Sequence, residues 1–262
     1  MKIWRVFRQG LIVGIHDFQE FWNWRTWFGG WMLRILTNAC AWVLLGKLLQ
    51  SQEKLEYLLV GNAVAAGATA SLWASNSVSW NRYDGTHTLQ VIAPGSLLPA
   101  AMGRSAVWLL NGVFTSLTTL LVLLVGFGYR PATPGAWLVP LVVMVICTSV
   151  YCFALFLGSL VSLNTKLRNP VLDISSTLFM AFCGVSVPVG FWPEPIPTLV
   201  QLLPLTHGLA GVRALVTGAP LTVAAQAVTL ELLVGAAWLV VSLLCMDRLA
   251  EAGRADGSIE FT

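Results

Sequence analysis

Of the 262 residues in this chain, 56% are hydrophobic and only 10% are charged, which leaves too few polar side chains to cover a water-soluble fold. Soluble domains carry about 25% charged residues, so the mean hydropathy of +0.75 predicts an integral membrane protein. A net charge of +3 without a basic block argues against nucleic-acid binding. Five scattered cysteines without a CxxC pair argue against a disulfide framework or a metal site.

The first predicted element is an amphipathic helix in residues 1–25. Within residues 3–22, apolar side chains recur at steps of three and four, which is the spacing of one helix face; they are Trp4, Phe7, Leu11, Ile15, Phe18 and Trp22. The segment is too polar to span a bilayer, and tryptophan favours the membrane interface, so we expect the helix to lie there. The alternative is an ordinary helix packed on its own protein.

Six apolar runs follow, and each approaches the roughly 20 residues that a helix needs to cross a bilayer. They cover residues 27–48, 55–77, 105–127, 136–161, 171–187 and 221–246. The second run is rich in glycine, alanine and serine, which is typical of close helix–helix contact in lipid. In this topology, most basic residues of the polar intervals lie on the same side of the membrane as the N-terminus. We therefore expect both termini in the cytoplasm. An even number of spans agrees with that expectation.

The interval 78–104 lies between the second and third runs, on the cytoplasmic side of this topology. Asp84 and Gly85 interrupt the incoming helix, and Thr86 is placed to cap a new one. Leu89 gives the new helix an apolar contact, and Pro94 ends or bends it. The pattern predicts a short cytoplasmic helix suited to docking a partner; the alternative is a plain connecting loop.

This interval resembles the membrane subunits of ABC-2 type transporters, which carry a stretch of the form R-x-x-G-T-x-x-x-L-x-x-x-P between their second and third spans. Arg82, Gly85, Thr86 and Pro94 match that stretch, while its leucine is displaced to Leu89 and Gln90 stands in its place. The resemblance implies that these six residues belong to a coupling helix, which fits into a cleft of an ATP-binding subunit.

The interval 188–220 is too apolar for a free loop and too rich in proline to form a regular span. A broken helix that dips into the outer leaflet fits this composition, provided that protein or a water-filled cavity covers its backbone. Pro193 and Pro204 restrict its turns. The alternative is a structured extracellular loop without a role in transport.

The same interval resembles a second ABC-2 pattern, of the form G-x-x-F/Y-P … P … L-P-L-T-x … R-x-L-x-x-G. Phe191, Trp192 and Pro193 approximate its first part, and Arg213 belongs to its last part. Pro204 and His207 lie in the middle part, Leu203-Pro204-Leu205-Thr206-His207. The resemblance implies external re-entrant helices that cap a translocation path. We expect His207 to be a satisfied interfacial residue rather than a metal ligand.

Arg34, Asp173 and Glu231 are ionisable residues inside predicted spans, where charge is costly and often functional. Arg34 either snorkels to the cytoplasmic interface or has a functional partner. Asp173 is expected to pair with Lys166 or Arg168, or to stabilise a helix N-terminus. For Glu231, a subunit-interface hydrogen bond, a buried pair with Arg34 and a substrate or proton role are all open.

Uncharged residues complete the set of candidate path residues. Asn62 is suited to hydrogen bonding between helices. Phe179 and Phe182 either line a path or pack against lipid. The candidate translocation path therefore comprises Asn62, Phe179, Phe182 and Glu231.

The chain contains no G-x-x-x-x-G-K-[ST] phosphate loop, so it is not expected to hydrolyse ATP. Daunorubicin-resistance permeases and nodulation-signal exporters belong to the family that it resembles. The resemblance implies a single all-α domain, residues 1–262, with six transmembrane helices in the cytoplasmic membrane. It further implies an ATP-binding subunit that supplies ATP and Mg, a second permease copy or homologue, and export of a drug, antibiotic, lipid or lipid-linked glycan.

Two other functions remain open at this stage. One is a proton-coupled carrier that uses Glu231. The other is a membrane enzyme that uses Glu231, His207 or Asp173, although the sequence shows no HExxH, GxSxG or nucleophile–base spacing.

Overall fold

The structure, a computed structural model, describes residues 2–83, 98–129, 133–162 and 164–255, and all regular structure in this part of the chain is helical. The α-helices in chain order are α1 Lys2–Phe21, α2 Trp24–Thr26, α3 Leu33–Leu48, α4 Gln52–Leu72, α5 Ala74–Tyr83, α6 Leu98–Gly126, α7 Val139–Val161, α8 Arg168–Phe182, α9 Ile196–Val200, α10 Thr206–Thr217 and α11 Leu221–Ala255. A π-helical turn, Trp27–Met32, joins α2 to α3, and short 3-10 turns cover Pro134–Leu138, Thr165–Leu167 and Val189–Phe191.

Within the described residues, five helical stretches are long and apolar enough to cross a membrane, in agreement with the prediction of an all-helical membrane protein. They are Trp24–Leu48, Gln52–Val78, Leu98–Gly126, Gly135–Val161 and Leu221–Arg248. These stretches correspond to the first four and the last of the six predicted runs.

The predicted run 171–187 forms only a short helix. Helix α8 has 15 residues, a length of about 22 Å at 1.5 Å per residue, which is less than the ~30 Å thickness of a hydrocarbon core. It ends at Phe182 because Gly184 adopts φ +80° and Pro188 follows closely. Apolar composition alone therefore overestimates the length of this helix.

Helix α4 is the centre of the bundle. In the apolar part of Gln52–Val78, 89% of the residues are buried inside the protein, against 17% in the apolar part of Leu221–Arg248. Small residues allow α6 to approach α4 closely. Gly67 lies against Ser116 and the Gly112 carbonyl, and Gly112 lies against Ser71. A Cβ on either glycine would collide with these atoms, so the close helix contact predicted from the composition of this run is confirmed.

Helix α1 packs on the first turns of α6, again through glycine. Gly10, Gly14 and Gly103 lie so close to the facing backbone that a Cβ on any of them would collide with a carbonyl oxygen. Asp17 accepts a 2.6 Å hydrogen bond from Arg104 Nε in an ion pair across this contact. The alternative of a helix packed on its own protein is therefore correct for this face of α1.

The other face of α1 carries exposed apolar side chains, among them Ile3, Trp4, Ile12, Ile15 and Phe21. Of the six residues in the predicted apolar stripe, Trp4 and Ile15 lie on this exposed side. The placement of the helix at the membrane interface remains a prediction, and this exposed apolar face is compatible with it.

Candidate functional site

Helices α10 and α11 form a hairpin, and its first arm, α10, starts deep in the bundle. Helix α10 ends at Gly218, which caps it with φ +79°, and α11 begins three residues later at Leu221. The N-terminus of α10 lies beside Glu231, about three turns into α11. At the opposite end of α10, Thr133 Oγ1 donates a 2.6 Å hydrogen bond to the Leu215 carbonyl.

Glu231 supplies the N-terminal cap of α10 from a different helix. Its carboxylate is fully buried, with Oε1 accepting from the Leu205 N–H at 2.8 Å and Oε2 from the Gly208 N–H at 2.9 Å. The first N–H groups of a helix have no partner within it, and the positive end of the helix dipole attracts a carboxylate. These two hydrogen bonds offset the cost of burying the Glu231 carboxyl group.

This contact was not foreseen from the sequence, although one signal for it exists. The residue that precedes α10 is Leu205, which has φ +90° and no side chain able to cap a helix. A buried helix whose N-cap residue is not Ser, Thr, Asp or Asn needs a cap from elsewhere, and Glu231 provides it. The pair between Glu231 and Arg34 is not formed, because Arg34 lies over the Trp31 ring instead, 5.3 Å from its centroid.

A second contact ties the hairpin to α4 and to the segment after α8. The guanidinium carbon of Arg213 lies 3.5 Å from the centre of the Tyr57 ring. Arg213 Nη2 donates to the carbonyls of Val185 at 3.2 Å and Tyr57 at 3.3 Å. The Tyr57 hydroxyl donates to the Gly184 carbonyl at 2.8 Å. Arg213, which the family pattern singled out, thus clamps three segments together at the first turns of α4.

The other residues singled out in the interval 188–220 are spread around this hairpin. Phe191 and Pro193 are exposed, whereas Pro204 is buried. The Trp192 ring lies 4.9 Å from that of Phe182, measured between centroids. His207 Nε2 donates to the Gln201 carbonyl at 3.1 Å, so this histidine has a hydrogen-bond partner in the backbone. Within the described ranges, no group of three or more potential metal ligands is present.

Towards the end of α4 that is remote from this hairpin, α3, α4 and α8 line a half-open polar cavity of about 280 Å³. We call it the polar cavity. Six of its lining residues carry polar side chains: Arg34, Asn38, Asn62, Thr69, Asp173 and Ser176. Trp31 and Trp73 also line it. Polar side chains from three helices thus converge on one space within the bundle.

The charged residues of the polar cavity do not form ion pairs. Arg34 and Asp173 are both exposed, and neither has an ion-pair partner within the described residues. The expected pairing of Asp173 with Lys166 or Arg168 is therefore absent from this part of the chain. Asn62, by contrast, is buried and donates a 2.9 Å hydrogen bond to the Leu58 carbonyl of its own helix.

The four candidate path residues therefore do not share one space. Only Asn62 of the four lines the polar cavity. Phe179 is fully buried, with its ring 5.9 Å from that of Phe153, and Phe182 contacts Trp192. Glu231 caps α10. A role for these residues in a path remains a prediction.

The residues predicted to couple to an ATPase begin in the last turn of α5 and continue beyond it in the sequence. Arg82 lies in the last turn of α5, and Gly85, Thr86, Leu89, Gln90 and Pro94 lie outside the described residues. The start of α5 adjoins an aromatic cluster that joins α1, α4, α6 and the π-helical turn. The ring centroids of Trp73 and Trp108 are 5.6 Å apart, those of Trp31 and Trp73 are 5.4 Å apart, and those of Trp22 and Trp31 are 5.4 Å apart.

These features define an all-helical membrane protein with a capped hairpin at one end of its central helix and a polar cavity towards the other. No protein-family model matches the chain, and no curated protein sequence matches it.

Proposed function

We propose that this chain is the membrane-spanning permease subunit of an ATP-driven exporter of the ABC-2 type. Its substrate is an amphipathic or hydrophobic molecule, of the class of drugs, antibiotics, lipids or lipid-linked glycans, moved across the cytoplasmic membrane. The chain binds no cofactor of its own in this proposal, and ATP and Mg are bound by the partner subunit.

The observation that carries the proposal is the position of the two family-like stretches relative to α4. Arg213, from the second stretch, contacts Tyr57 near the start of α4, whereas Arg82, the first residue of the other stretch, lies in the last turn of α5, which begins where α4 ends. From Tyr57 to Val78 the helical path covers about 31 Å, close to the thickness of a hydrocarbon core. A permease needs this arrangement, with the ATPase contact on one side of the membrane and the external hairpin on the other.

The sixth crossing, in this proposal, is α8 together with the irregular segment that follows it. This assignment brings α9 and α10 to the outer side and both termini to the cytoplasm. Support comes from α10, which returns from deep in the bundle to the start of α11. The hairpin then acts as the re-entrant cap of the path.

A second permease chain, identical or homologous, completes the pathway. Helix α3 supports the presence of a second copy, because only 22% of the residues in the apolar part of Trp24–Leu48 are buried within one copy. Leu33, Leu44 and Leu45 are exposed on it. ATP binding closes the partner subunits, and the segment 82–94 transmits that movement through α5 to the bundle.

The test is purification of the tagged chain from its native host in mild detergents, with identification of co-purifying proteins by mass spectrometry. We expect an ATP-binding subunit to co-purify with the unaltered chain and to be lost from Leu89→Asp. Leu167→Asp is the matched control, because it places the same charge at an exposed leucine between the fourth and fifth predicted runs, an interval that is also cytoplasmic in this topology. The control should retain the partner.

Recovery of the unaltered chain alone in several mild detergents would contradict the proposal and favour the proton-coupled carrier. Retention of the ATP-binding subunit by Leu89→Asp would contradict the coupling assignment specifically.

A further inference from the structure

The polar cavity opens beside a second depression on the outer face of α3. This outer groove has a volume of about 550 Å³ and is lined by Gly30, Leu33, Arg34, Thr37, Asn38, Ala41 and Trp42. Arg34 and Asn38 line both spaces. Beyond these two residues and Thr37, the groove is apolar. The polar cavity and the mostly apolar outer groove thus lie on either side of Arg34 and Asn38.

The two charges at the polar cavity suggest what the compartment accommodates. A guanidinium and a carboxylate within a membrane bundle are costly unless they pair with each other or serve a ligand. Arg34 and Asp173 line the same cavity without forming an ion pair, and amide and hydroxyl groups of Asn38 and Ser176 lie beside them. Snorkelling of Arg34 towards lipid phosphates would account for the positive charge alone. Snorkelling gives no reason for the carboxylate of Asp173, which lines the same cavity from α8.

The volume of the polar cavity limits which part of a ligand can enter it. Sites that enclose a whole drug-sized molecule span about 300–1,000 Å³, and the polar cavity, at about 280 Å³, lies just below that range. A compact head group fits this space. The hydrocarbon part must remain outside, where the outer groove offers Leu33, Ala41 and Trp42.

We propose that the polar cavity binds the zwitterionic head group of a single- or double-chain amphipathic lipid. Arg34 binds the anionic group, Asp173 binds the ammonium group, and one hydrocarbon chain lies along the outer groove beside Trp42. The inference rests on the proposed function in one respect, namely that the bound lipid is the exported substrate. Since the cavity lies towards the α5 end of α4, the lipid enters from the cytoplasmic leaflet.

The first probe is lysophosphatidylethanolamine with a brominated chain, titrated into the purified full-length chain held in amphipol. Bromine quenches tryptophan fluorescence at short range, so binding is measured as quenching. We expect Arg34→Gln to weaken binding about tenfold, the effect of losing one charge-assisted hydrogen bond. Trp42→Phe should remove part of the quenching, because it removes the fluorophore beside the proposed position of the hydrocarbon chain.

The second probe is brominated lysophosphatidylglycerol, which has the phosphate but no ammonium group. Arg34→Gln should weaken binding of both probes, whereas Asp173→Asn should weaken only that of the ethanolamine lipid. This difference separates recognition of the head group from general attraction to a basic surface.

Two further variants serve as controls. Arg34→Lys keeps the positive charge and should restore most of the binding. Arg25→Gln removes an exposed positive charge that lies over Trp24, outside both lining sets, and should bind both probes as the unaltered chain does. Size-exclusion profiles and far-UV circular dichroism establish that each variant is folded.

Binding of both probes by Arg34→Gln and Asp173→Asn within about twofold of the unaltered chain would overturn the head-group site. Equal losses in Arg25→Gln and Arg34→Gln would overturn it as well. The assay contains no ATP-binding subunit, so its failure is separate from that of the proposed function. A head-group site in a chain that recruits no ATPase would contradict the exporter and leave the lipid site standing.

Discussion

Glu231 and the pair Arg34 and Asp173 are charged residues in the same membrane bundle, yet their surroundings are opposite. The carboxylate of Glu231 is fully buried, and both of its oxygens accept backbone hydrogen bonds from α10. Arg34 and Asp173 face an open cavity and have no ion-pair partner within the described ranges. The comparison separates a charge that stabilises the fold from charges that are available to a ligand, and each class responds differently to substitution.

The largest loss of stability is expected for Glu231→Ala. Two buried N–H groups of α10 would lose their acceptor, which should lower the free energy of unfolding by about 3 kcal/mol. Unfolding in mixed micelles of dodecyl maltoside and sodium dodecyl sulfate measures this change. Glu231→Gln keeps one acceptor oxygen and should lose less.

Glu194→Ala is the matched control, since Glu194 is exposed and accepts only a local hydrogen bond from Thr198 among the described contacts. A loss in Glu194→Ala as large as that in Glu231→Ala would remove the distinction between a capping and an ordinary carboxylate.

A smaller loss is expected for Asp17→Asn, which removes the carboxylate that is paired with the buried Arg104. The free energy of unfolding should fall by about 2 kcal/mol, because a buried guanidinium would lose a charge-assisted hydrogen bond. Glu20→Gln, at an exposed position on the same helix, should change it by less than about 0.5 kcal/mol. Equal effects in the two variants would show that the contact between α1 and α6 does not depend on this ion pair.

An intermediate loss of stability is expected for Arg213→Lys. Lysine keeps the charge but lacks the planar fork that stacks on Tyr57 and reaches two carbonyls, so we expect a loss of about 1 kcal/mol. Because the clamp joins α10 to α4, proteolysis of the segment between Gly184 and Thr206 should also become faster. Unchanged stability together with unchanged proteolysis would mean that the clamp does not hold the hairpin.

The smallest effects on stability are expected for Arg34→Gln and Asp173→Asn. Neither side chain has an ion pair to lose, so the free energy of unfolding should change by less than about 0.5 kcal/mol, while lipid binding falls. A loss of stability comparable to that of Glu231→Ala would assign these two residues to the fold instead.

The sequence carries enough information for the spans because hydrophobic length is a local property. The runs at 27–48 and 136–161, for example, correspond closely to Trp24–Leu48 and Gly135–Val161. Helix α8 is shorter than its apolar run, because the positive φ of Gly184 is a backbone feature that hydropathy does not register.

The site is less predictable, because its parts come from distant positions. The partners of Glu231 are backbone N–H groups 23 and 26 residues earlier, and a backbone group leaves no mark in the sequence. The polar cavity takes Arg34, Asn62 and Asp173 from three helices, so no local spacing reveals it. In α1, the contact with α6 follows Gly10 and Gly14, which an analysis of apolar periodicity passes over.

The most direct measurement is lipid movement in proteoliposomes that contain this chain and its co-purified ATP-binding subunit. Fluorescent lysophosphatidylethanolamine is the substrate, and dithionite quenching reports its sidedness. We expect movement that requires ATP, that stops in Leu89→Asp, that is slower in Arg34→Gln, and that continues in Leu167→Asp. Movement that proceeds without ATP and collapses with the proton gradient would contradict an ATP-driven permease and would indicate a proton-coupled carrier.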